Sequence, residues 1–235
     1  MGEQIIKHRA FDLCPTMAAW PIHECVKECP DCEDFLLWCC GCNNKYYDLP
    51  ESQKPTRPCH HFRIVFTDGA CTHNGNPRAR AGAGVAYGNN DVSQLSIPIT
   101  DDEDHLPLRS NQRAELYAAR LGLAFLAEAA HINTQEASGK PKNKLADWII
   151  ATDSEYVVKG MTEWLPKWKR NNWCTARGTK PLNLDLFLAL DSEMKKHEAN
   201  NTRIGLWWVP REFNKVADGL AKKAAIDGDL ASGFP

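Results

Sequence analysis

The segment HFRIVFTDGA, residues 61–70, decides the fold class of this chain. Its first seven residues are mostly apolar or β-branched, which predicts a buried β-strand that ends beside an acidic residue, Asp68. Two further strands are predicted, because Ala83–Tyr87 is apolar after a glycine-rich turn and Val92–Ile99 alternates between apolar and polar residues. The three strands are expected to be consecutive and antiparallel.

Helical and strand patterns alternate in the rest of this region. Apolar residues recur at i, i+3, i+4 and i+7 from Ala114 to Ala129, which predicts a long helix capped by Ser110 or Asn111. The polar run His131–Lys144 is predicted to be a loop. The other predicted elements are a strand at Trp148–Thr152, helices at Ser154–Trp164 and Leu184–Lys195, a strand at Ile204–Val209 and a helix at Phe213–Ala225. The order βββαβααβα predicts an α/β fold with a mixed five-stranded sheet flanked by helices.

The composition is typical of a globular protein. Of 235 residues, 43% are hydrophobic and 25% are charged, which argues against a disordered or fibrous chain. No apolar run is long enough for a membrane span, and the residues near Met1 lack the order of a secretory signal. We therefore expect an intracellular protein of the nucleus or cytoplasm, not secreted and without a membrane partner. The formal net charge of -2 predicts no polyanionic partner, so such a partner has to be inferred from local charge.

Four acidic residues occur where predicted elements end or turn toward solvent. Asp68 and Asp153 follow strands, Glu115 lies early in the long helix, and Asp218 lies in the last helix. A single acid is more often a helix cap or a solvated residue. Acids at the carboxyl ends of strands, however, occupy the place where open α/β sheets bind ligands.

The blocks that contain these acids resemble a known family. They are FTDGAC at 66–71, NQRAEL at 111–116, ATDSEY at 151–156 and ADGLA at 217–221. In order and spacing they are similar to the signature blocks of the ribonuclease H family, type 1, and the resemblance covers about Cys59–Ile226. It implies a ribonuclease H-like fold and endonucleolytic hydrolysis of the RNA strand of RNA/DNA hybrids.

The resemblance also implies a cofactor. Asp68, Glu115, Asp153 and Asp218 match family residues that hold two Mg²⁺ ions, for which Mn²⁺ is a substitute. Carboxylate oxygens are ligands that Mg²⁺ prefers. Two such ions can activate the attacking water and stabilise the leaving oxygen.

Several positions resemble the family's substrate contacts. Asn74, Asn111 and Gln112 match residues that bind the RNA strand near its 2′-hydroxyl groups, which distinguish RNA from DNA. Ser110 and Asn183 match a pocket that holds a DNA phosphate.

The block Tyr156–Trp173 resembles the helix and basic protrusion that contact the DNA strand. Between Lys159 and Lys180 six basic residues stand against one acid, a local excess of five positive charges. A charged run with tryptophans at helical spacing is more often a solvated amphipathic helix, but the match to the family favours contact with sugars and phosphates. The residues expected to bind substrate here are Tyr156, Trp164, Lys167, Lys169 and Arg170.

The connection before the last helix departs from many family members, which carry a histidine on a flexible loop there. Here Val209–Lys215 joins strand to helix directly and contains no histidine. This short connection resembles the archaeal-like branch, where an arginine occupies the turn, so Arg211 is a candidate catalytic residue. The alternative is that Arg211 forms a surface ion pair.

Cysteines crowd the amino-terminal part of the chain, which divides the sequence into a cysteine-rich segment with a linker at 1–58, a ribonuclease H-like domain at 59–228 and a tail at 229–235. The two thiol pairs of this segment are candidate ligands of a structural Zn²⁺: Cys29 with Cys32, and Cys39 with Cys42. Alternative or additional ligands are Cys14, His23, Cys25, Cys40, Cys59, His60 and His61. Buried thiols without metal, redox chemistry and disulfides stay open as alternatives.

The same segment is acidic, with nine acids against six lysines and arginines in residues 1–61. It does not resemble a hybrid-binding domain, so we expect it to be structural or to contact a protein partner. A catalytically idle nucleic-acid-binding or adaptor protein is the rival interpretation of the whole chain, and the presence of all four acids speaks against it. A fragment of a retroelement polymerase is a weaker rival, because no polymerase motif is found.

Overall fold

The structure is a computed structural model that describes residues 5–39, 50–53, 58–106, 109–136 and 146–231. In these ranges the strands form one mixed nine-stranded sheet. They are β1 (Ile5–Lys7), β2 (Ala10–Asp12), β3 (Val26–Glu28), β4 (Phe35–Leu37), β5 (Phe62–Thr72), β6 (Arg80–Ala86), β7 (Gln94–Ile99), β8 (Ala146–Thr152) and β9 (Thr202–Trp208).

Helices cover both faces of this sheet. They are α1 (Pro15–Ala18), α2 (Ile22–Cys25), α3 (Asn111–Glu136), α4 (Glu155–Lys159), α5 (Leu165–Arg170), α6 (Leu184–Glu198) and α7 (Lys215–Ala231), with a π-helical turn at Gly160–Trp164 between α4 and α5. Helix α3 continues to Glu136, so the loop predicted from His131 was wrong over its first residues. The run 131–136 contains no glycine or proline that would end a helix.

The five strands predicted from the sequence form the centre of the sheet. Strand β5 pairs with β8 in parallel and with β6 antiparallel, β6 pairs with β7, and β8 pairs with β9 in parallel. The α/β class is confirmed, and the order matches the predicted βββαβααβα when α4, the π-helical turn and α5 are counted as one helical segment. The sheet is larger than the predicted five strands, however, because the cysteine-rich segment contributes four more.

The cysteine-rich segment joins the sheet at two places. Strand β2 pairs in parallel with β9 at Ala10 and Leu206, and β4 pairs antiparallel with β5 at Leu36 and Arg63. These added strands have three residues each, too few to show a periodicity in the sequence. The division into residues 1–58, 59–228 and 229–235 stays a prediction.

The central strands are buried on both faces because successive side chains point in opposite directions. Val65 and Ile150 pack in one core with residues of α3 and α6. Ile64 and Ile149 pack in a second core, which contains Phe11 of the cysteine-rich segment and residues of α7. The cysteine-rich segment thus covers apolar surface of the central strands. No helix in the described ranges is long and apolar enough to cross a bilayer.

Candidate active site

Asp68 and Asp153 lie side by side on neighbouring parallel strands. The register of β5 and β8 pairs Phe66 with Ala151, and each acid lies two residues further along its chain. The two side chains are close enough to hydrogen-bond to each other. Asp153 follows β8 as predicted, whereas β5 continues to Thr72, so Asp68 lies within its strand and the prediction that it follows the strand was wrong.

Glu115 reaches the same place because α3 begins in direct contact with β5. A β-carbon at Gly69 would lie 2.1 Å from the backbone nitrogen of Glu115, so only glycine permits this approach. The Gly69 N–H donates a hydrogen bond to Oε2 of Glu115 at 3.2 Å. The glycine that follows Asp68 therefore positions a second carboxylate beside it.

Asp218 approaches from α7. This helix packs closely on β6 because a glycine of the strand, like Gly69 in β5, leaves room for the helix backbone. A β-carbon at Gly84 would lie 2.1 Å from the carbonyl oxygen of Ala217. Asp218 is close enough to Asp68 to raise the pKa of that carboxyl group. The structure thus brings together all four acids that the sequence singled out.

Burial and mutual repulsion make ionisation of this cluster unfavourable. Asp68 is 5% exposed, and its pKa is raised to about 7. The main cause is burial, and the negative charges of Asp153 and Asp218 add to it. Burial, followed by the charges of Asp68 and Asp153, raises the pKa of Glu115 to about 9. The fully ionised cluster therefore requires additional positive charge.

Two basic side chains contact one member of the cluster. Arg211 forms an ion pair with one carboxylate oxygen of Asp218, and Nζ of Lys222 lies 2.6 Å from the other. Both basic residues line an open cleft of about 380 Å³ together with Asp68 and Glu115. The sequence analysis had offered a surface ion pair as the alternative role of Arg211. Arg211 does form an ion pair, but its partner, Asp218, is a candidate catalytic acid. The sequence analysis missed Lys222, although it lies one helical turn after Asp218.

Asn214 is the second residue that the sequence analysis missed. It is 1% exposed, and its Nδ2 donates to the carbonyl oxygen of Thr67 at 3.0 Å and to Oδ1 of Asp153 at 2.6 Å. Asn214 thus links the carboxylate of Asp153 to the backbone of Thr67 in β5. An asparagine in a short connection is more often a turn residue, so the sequence carried no signal for this contact.

The residues expected to contact the RNA strand lie at the start of α3. Asn74 accepts a hydrogen bond from the backbone N–H of Asn111 at 3.3 Å, and Asn111 lines the cleft. Gln112 is exposed beside Asn111. Ser110 accepts a hydrogen bond from the N–H of Arg113 at 3.3 Å, so Ser110 is the helix cap.

Asn183 and Ser110 both contact the buried Arg113, Asn183 at the guanidinium group and Ser110 at the backbone N–H. Nδ2 of Asn183 donates to the hydroxyl group of Tyr156 at 3.0 Å, and its Oδ1 accepts from Arg113 at 3.4 Å. Arg113 also forms ion pairs with Asp104 and Asp185, each at 2.7 Å. The sequence analysis missed Arg113, although it lies inside one of the four signature blocks.

Aromatic side chains form a packed row along the predicted protrusion. Ring centroids are 5.6 Å apart for Tyr156 and Trp164, 6.3 Å for Trp164 and Trp168, and 5.2 Å for Trp168 and Phe187. This row joins the α4–α5 region to α6. Trp173 is 40% exposed at the end of the region.

The three basic residues of the protrusion differ in their surroundings. Lys167 and Arg170 are exposed, and Lys167 has only a long contact of 3.8 Å with Glu163. Lys169 is exposed as well, but its Nζ lies 2.8 Å from both carboxylate oxygens of Asp191, whose side chain is 5% exposed. A buried acid thus determines the position of Lys169.

The described candidate zinc ligands lie in two groups, each with two thiols and one histidine. Cys29 and Cys32 lie together with His60, and Cys39 lies together with Cys59 and His61. Cys42 lies outside the described residues. The structure therefore divides the candidate thiols between two clusters, each with a histidine that the sequence analysis had named as an alternative ligand.

Comparison with protein-family models decides the family. The model described as RNase H matches residues 61–226, well over half of the chain. The chain belongs to the ribonuclease H family. The matched residues contain the four carboxylates, Arg211 and Asn214. The resemblance inferred from the four blocks is confirmed, whereas the type 1 assignment and the branch without a histidine loop stay predictions.

Curated relatives carry the same family name. Ribonuclease H of Schizosaccharomyces pombe is 35% identical over 173 residues, covering 72% of this chain and 55% of that protein. Ribonuclease H1 of Homo sapiens is 35% identical over 130 residues, covering 55% of this chain and 38% of that protein. Ribonuclease H of Wolbachia pipientis wMel is 32% identical over 169 residues, covering 70% of this chain and 95% of that protein. The chain thus spans about half or less of the first two relatives.

Among solved structures, the foamy viral protease-reverse transcriptase in complex with an RNA/DNA hybrid has a similar fold. The TM-score is 0.50 at 18% identity, and the match covers 77% of this chain and 23% of that chain. This likeness shows the ribonuclease H-like fold that the sequence predicted.

Proposed function

We propose that this protein is a ribonuclease H that hydrolyses the RNA strand of RNA/DNA hybrids with the help of divalent metal ions. The observation that carries this proposal is the convergence of Asp68, Glu115, Asp153 and Asp218 in one cluster beside an open cleft. Four such acids contributed by two strands and two helices are not needed to stabilise the fold. Their mutual repulsion is a cost that a bound cation offsets.

The donor set suits a hard divalent cation. The cluster offers carboxylate oxygens, which Mg²⁺ prefers over histidine or thiolate ligands. The raised pKa values of Asp68 and Glu115 reflect burial without enough neighbouring positive charge. Two Mg²⁺ ions, or Mn²⁺ in their place, are the proposed cofactors. Divalent ions bound there supply Lewis acidity that activates the attacking water and stabilises the leaving 3′ oxygen.

The protein's own residues orient the groups around the reaction. Asn214 holds Asp153 in place through its hydrogen bond of 2.6 Å, and Gly69 holds Glu115 through its backbone N–H. Arg211 carries a permanent positive charge at the edge of the cleft, where a scissile phosphate would be drawn towards it. We assign Arg211 an electrostatic role at that phosphate.

Recognition of the two strands is assigned to separate surfaces. Asn74, Asn111 and Gln112 are proposed to contact the RNA strand at its 2′-hydroxyl groups, since amide side chains can both donate to and accept from them. Ser110 and Asn183 are proposed to hold a phosphate of the DNA strand.

The protrusion is the proposed electrostatic contact with the DNA strand. Lys167 and Arg170 are exposed and available for phosphates, and Trp164 contributes to the aromatic row that supports them. We assign Lys169 a structural role instead, because its ammonium group is paired with the carboxylate of Asp191.

Cleavage of matched duplexes tests the proposal. Labelled RNA/DNA hybrid, double-stranded RNA and double-stranded DNA of one sequence should be incubated with the full chain and Mg²⁺, with and without chelator. We expect internal cuts in the RNA strand of the hybrid only, abolished by chelator. Tight hybrid binding without cleavage in Mg²⁺ or Mn²⁺ would contradict the proposal and favour the idle binding protein.

A further inference from the structure

Two clusters of sulfur and nitrogen ligands lie where the cysteine-rich segment meets β5. In the first, Cys29 and Cys32 follow β3, and His60 precedes β5. Their ligand atoms all lie within 4.8 Å of one another, and Sγ of Cys32 lies 3.4 Å from Nε2 of His60. Cys29 is fully buried, Cys32 is half-buried and His60 is exposed, so the cluster lies at the protein surface with one buried ligand.

The second cluster repeats this arrangement with different residues. Cys39 follows β4, and Cys59 and His61 precede β5. The three ligand atoms again lie within 4.8 Å of one another, and Sγ of Cys39 lies 3.4 Å from Nδ1 of His61. The adjacent histidines His60 and His61 are thus divided between the two clusters.

The spacing within each cluster suits a shared metal ion. Zinc bonds of about 2.3 Å to sulfur and 2.0–2.1 Å to nitrogen place the two ligand atoms about 3.6 Å apart in a tetrahedral site. A thiol–imidazole hydrogen bond could account for one sulfur–nitrogen contact, but it does not require a second thiol to converge on the same point. Both clusters contain that second thiol.

We propose that this chain binds two structural zinc ions, one at Cys29, Cys32 and His60 and the other at Cys39, Cys59 and His61. The two negative charges of the thiolates balance the two positive charges of the zinc ion, and the imidazole is neutral. Each site is therefore neutral overall, which lowers the cost of partial burial. A single site of four thiolates would instead carry two negative charges in this acidic segment. The fourth position of each tetrahedron is left to water or a further donor.

The ions would add cross-links between distant parts of the chain. Cys32 and His60 are 28 residues apart, and Cys39 and His61 are 22 residues apart. The ladder between β4 and β5 has a single registered pair, Leu36 with Arg63. Zinc would thus fasten the cysteine-rich segment to the start of the strand that carries Asp68.

The zinc sites are separate from the carboxylate cluster. Asp68 lies seven residues beyond His61, which corresponds to about 23 Å along an extended strand. Because Mg²⁺ prefers oxygen ligands, Mg²⁺ in an activity assay would not replace zinc at the thiolate sites, and the two metals can be examined independently.

Metal analysis of the full chain tests the proposal. Protein purified under reducing conditions without chelator should contain two zinc ions per chain by mass spectrometry. His60→Gln should reduce the content to one, His61→Gln should also reduce it to one, and the double variant should contain none. Cys174→Ser is the matched control, because Cys174 belongs to neither cluster, and it should retain two.

A ligand exchange separates loss of a ligand from loss of folding. His60→Cys supplies another zinc ligand and should retain two ions per chain, whereas His60→Gln does not. Absence of zinc from reduced wild-type protein after incubation with zinc would overturn the proposal. Unchanged zinc content in both glutamine variants, or loss of zinc in His60→Cys to the same extent as in His60→Gln, would also overturn it.

Discussion

Replacing Glu115 by glutamine should stabilise the metal-free protein while abolishing its activity. The pKa of Glu115 is raised from the ordinary 4.5 to about 9 in the folded protein, so folding at neutral pH requires this carboxyl group to take up a proton. The free energy of unfolding of the wild type should therefore fall as the pH rises above about 4.5, and it should continue to fall until about pH 9. Glutamine carries no charge and removes this dependence, while its carbonyl oxygen can still accept the hydrogen bond from Gly69.

The size of the effect follows from the shift in pKa. At pH 7 the unfolded carboxyl group lies 2.5 pH units above its ordinary pKa, which corresponds to about 3 kcal/mol at 1.36 kcal/mol per unit. Because part of the repulsion relaxes through Asp68, we expect Glu115→Gln to stabilise the metal-free protein by roughly 1–3 kcal/mol at pH 7. The difference should disappear near pH 4.

Urea denaturation in the presence of chelator measures this difference. The two proteins should be compared at pH 4.5, 7 and 8.5, with Glu128→Gln as control, since Glu128 is exposed on the same helix. Addition of Mg²⁺ should stabilise the wild type more than Glu115→Gln. A variant that is no more stable than the wild type at pH 7, or a difference that does not change with pH, would refute the electrostatic account of the cluster.

Further substitutions examine Arg211, the basic residues of the protrusion and Asn214. Arg211→Ala should lower turnover without changing the shape of the pH–rate profile, and Arg211→Lys should recover only part of the loss, since lysine lacks the forked guanidinium group; unchanged turnover in Arg211→Ala would restrict this residue to a structural ion pair. Exchange of both Lys167 and Arg170 for alanine should flatten the dependence of log affinity on log salt by up to about 0.9 per lost phosphate contact. Lys169→Ala should leave that slope unchanged. It should lower the free energy of unfolding by about 1 kcal/mol, because it removes one of the partners of the buried Asp191 carboxylate. A change of slope in Lys169→Ala would contradict the structural role assigned to Lys169. Asn214→Ala should raise the Mg²⁺ concentration needed for half-maximal turnover, because a neighbouring carboxylate loses its hydrogen bond, and an unaltered Mg²⁺ dependence would show that this contact does not orient a metal ligand.

The central part of the fold was predictable because its signals are local. The strand at residues 61–67 is a run of mostly apolar and β-branched residues, and the helix stripe from Ala114 to Ala129 repeats at a fixed period; the structure has elements at both places. The four acids were predictable because each lies in a short block whose order along the chain could be compared with a family. In the block at 66–71, Asp68 has to be followed by a glycine, because a β-carbon at Gly69 would collide with the backbone of Glu115.

Contacts between distant residues carried no such signal. Lys169 is positioned by Asp191, which lies 22 residues further along the chain, and a basic residue in a charged run gives no indication of such a partner. Asn214 acts through Asp153, 61 residues away. The division of the thiols between two clusters depends on His60 and His61, whose position beside the β3–β4 hairpin follows from strand pairing and not from the spacing of cysteines.

The most direct test of the account is single-turnover cleavage of an RNA/DNA hybrid by the wild type and by Asp153→Asn, with hybrid affinity measured on the same samples. Asn214 can still hydrogen-bond to an asparagine at this position, so the fold and the substrate surfaces should be preserved. The account predicts that Asp153→Asn binds the hybrid with nearly unchanged affinity and that its cleavage rate falls by at least about a hundredfold, because a proposed metal ligand is weakened. Cleavage within a few fold of the wild-type rate would contradict the assignment of the four carboxylates as the catalytic centre.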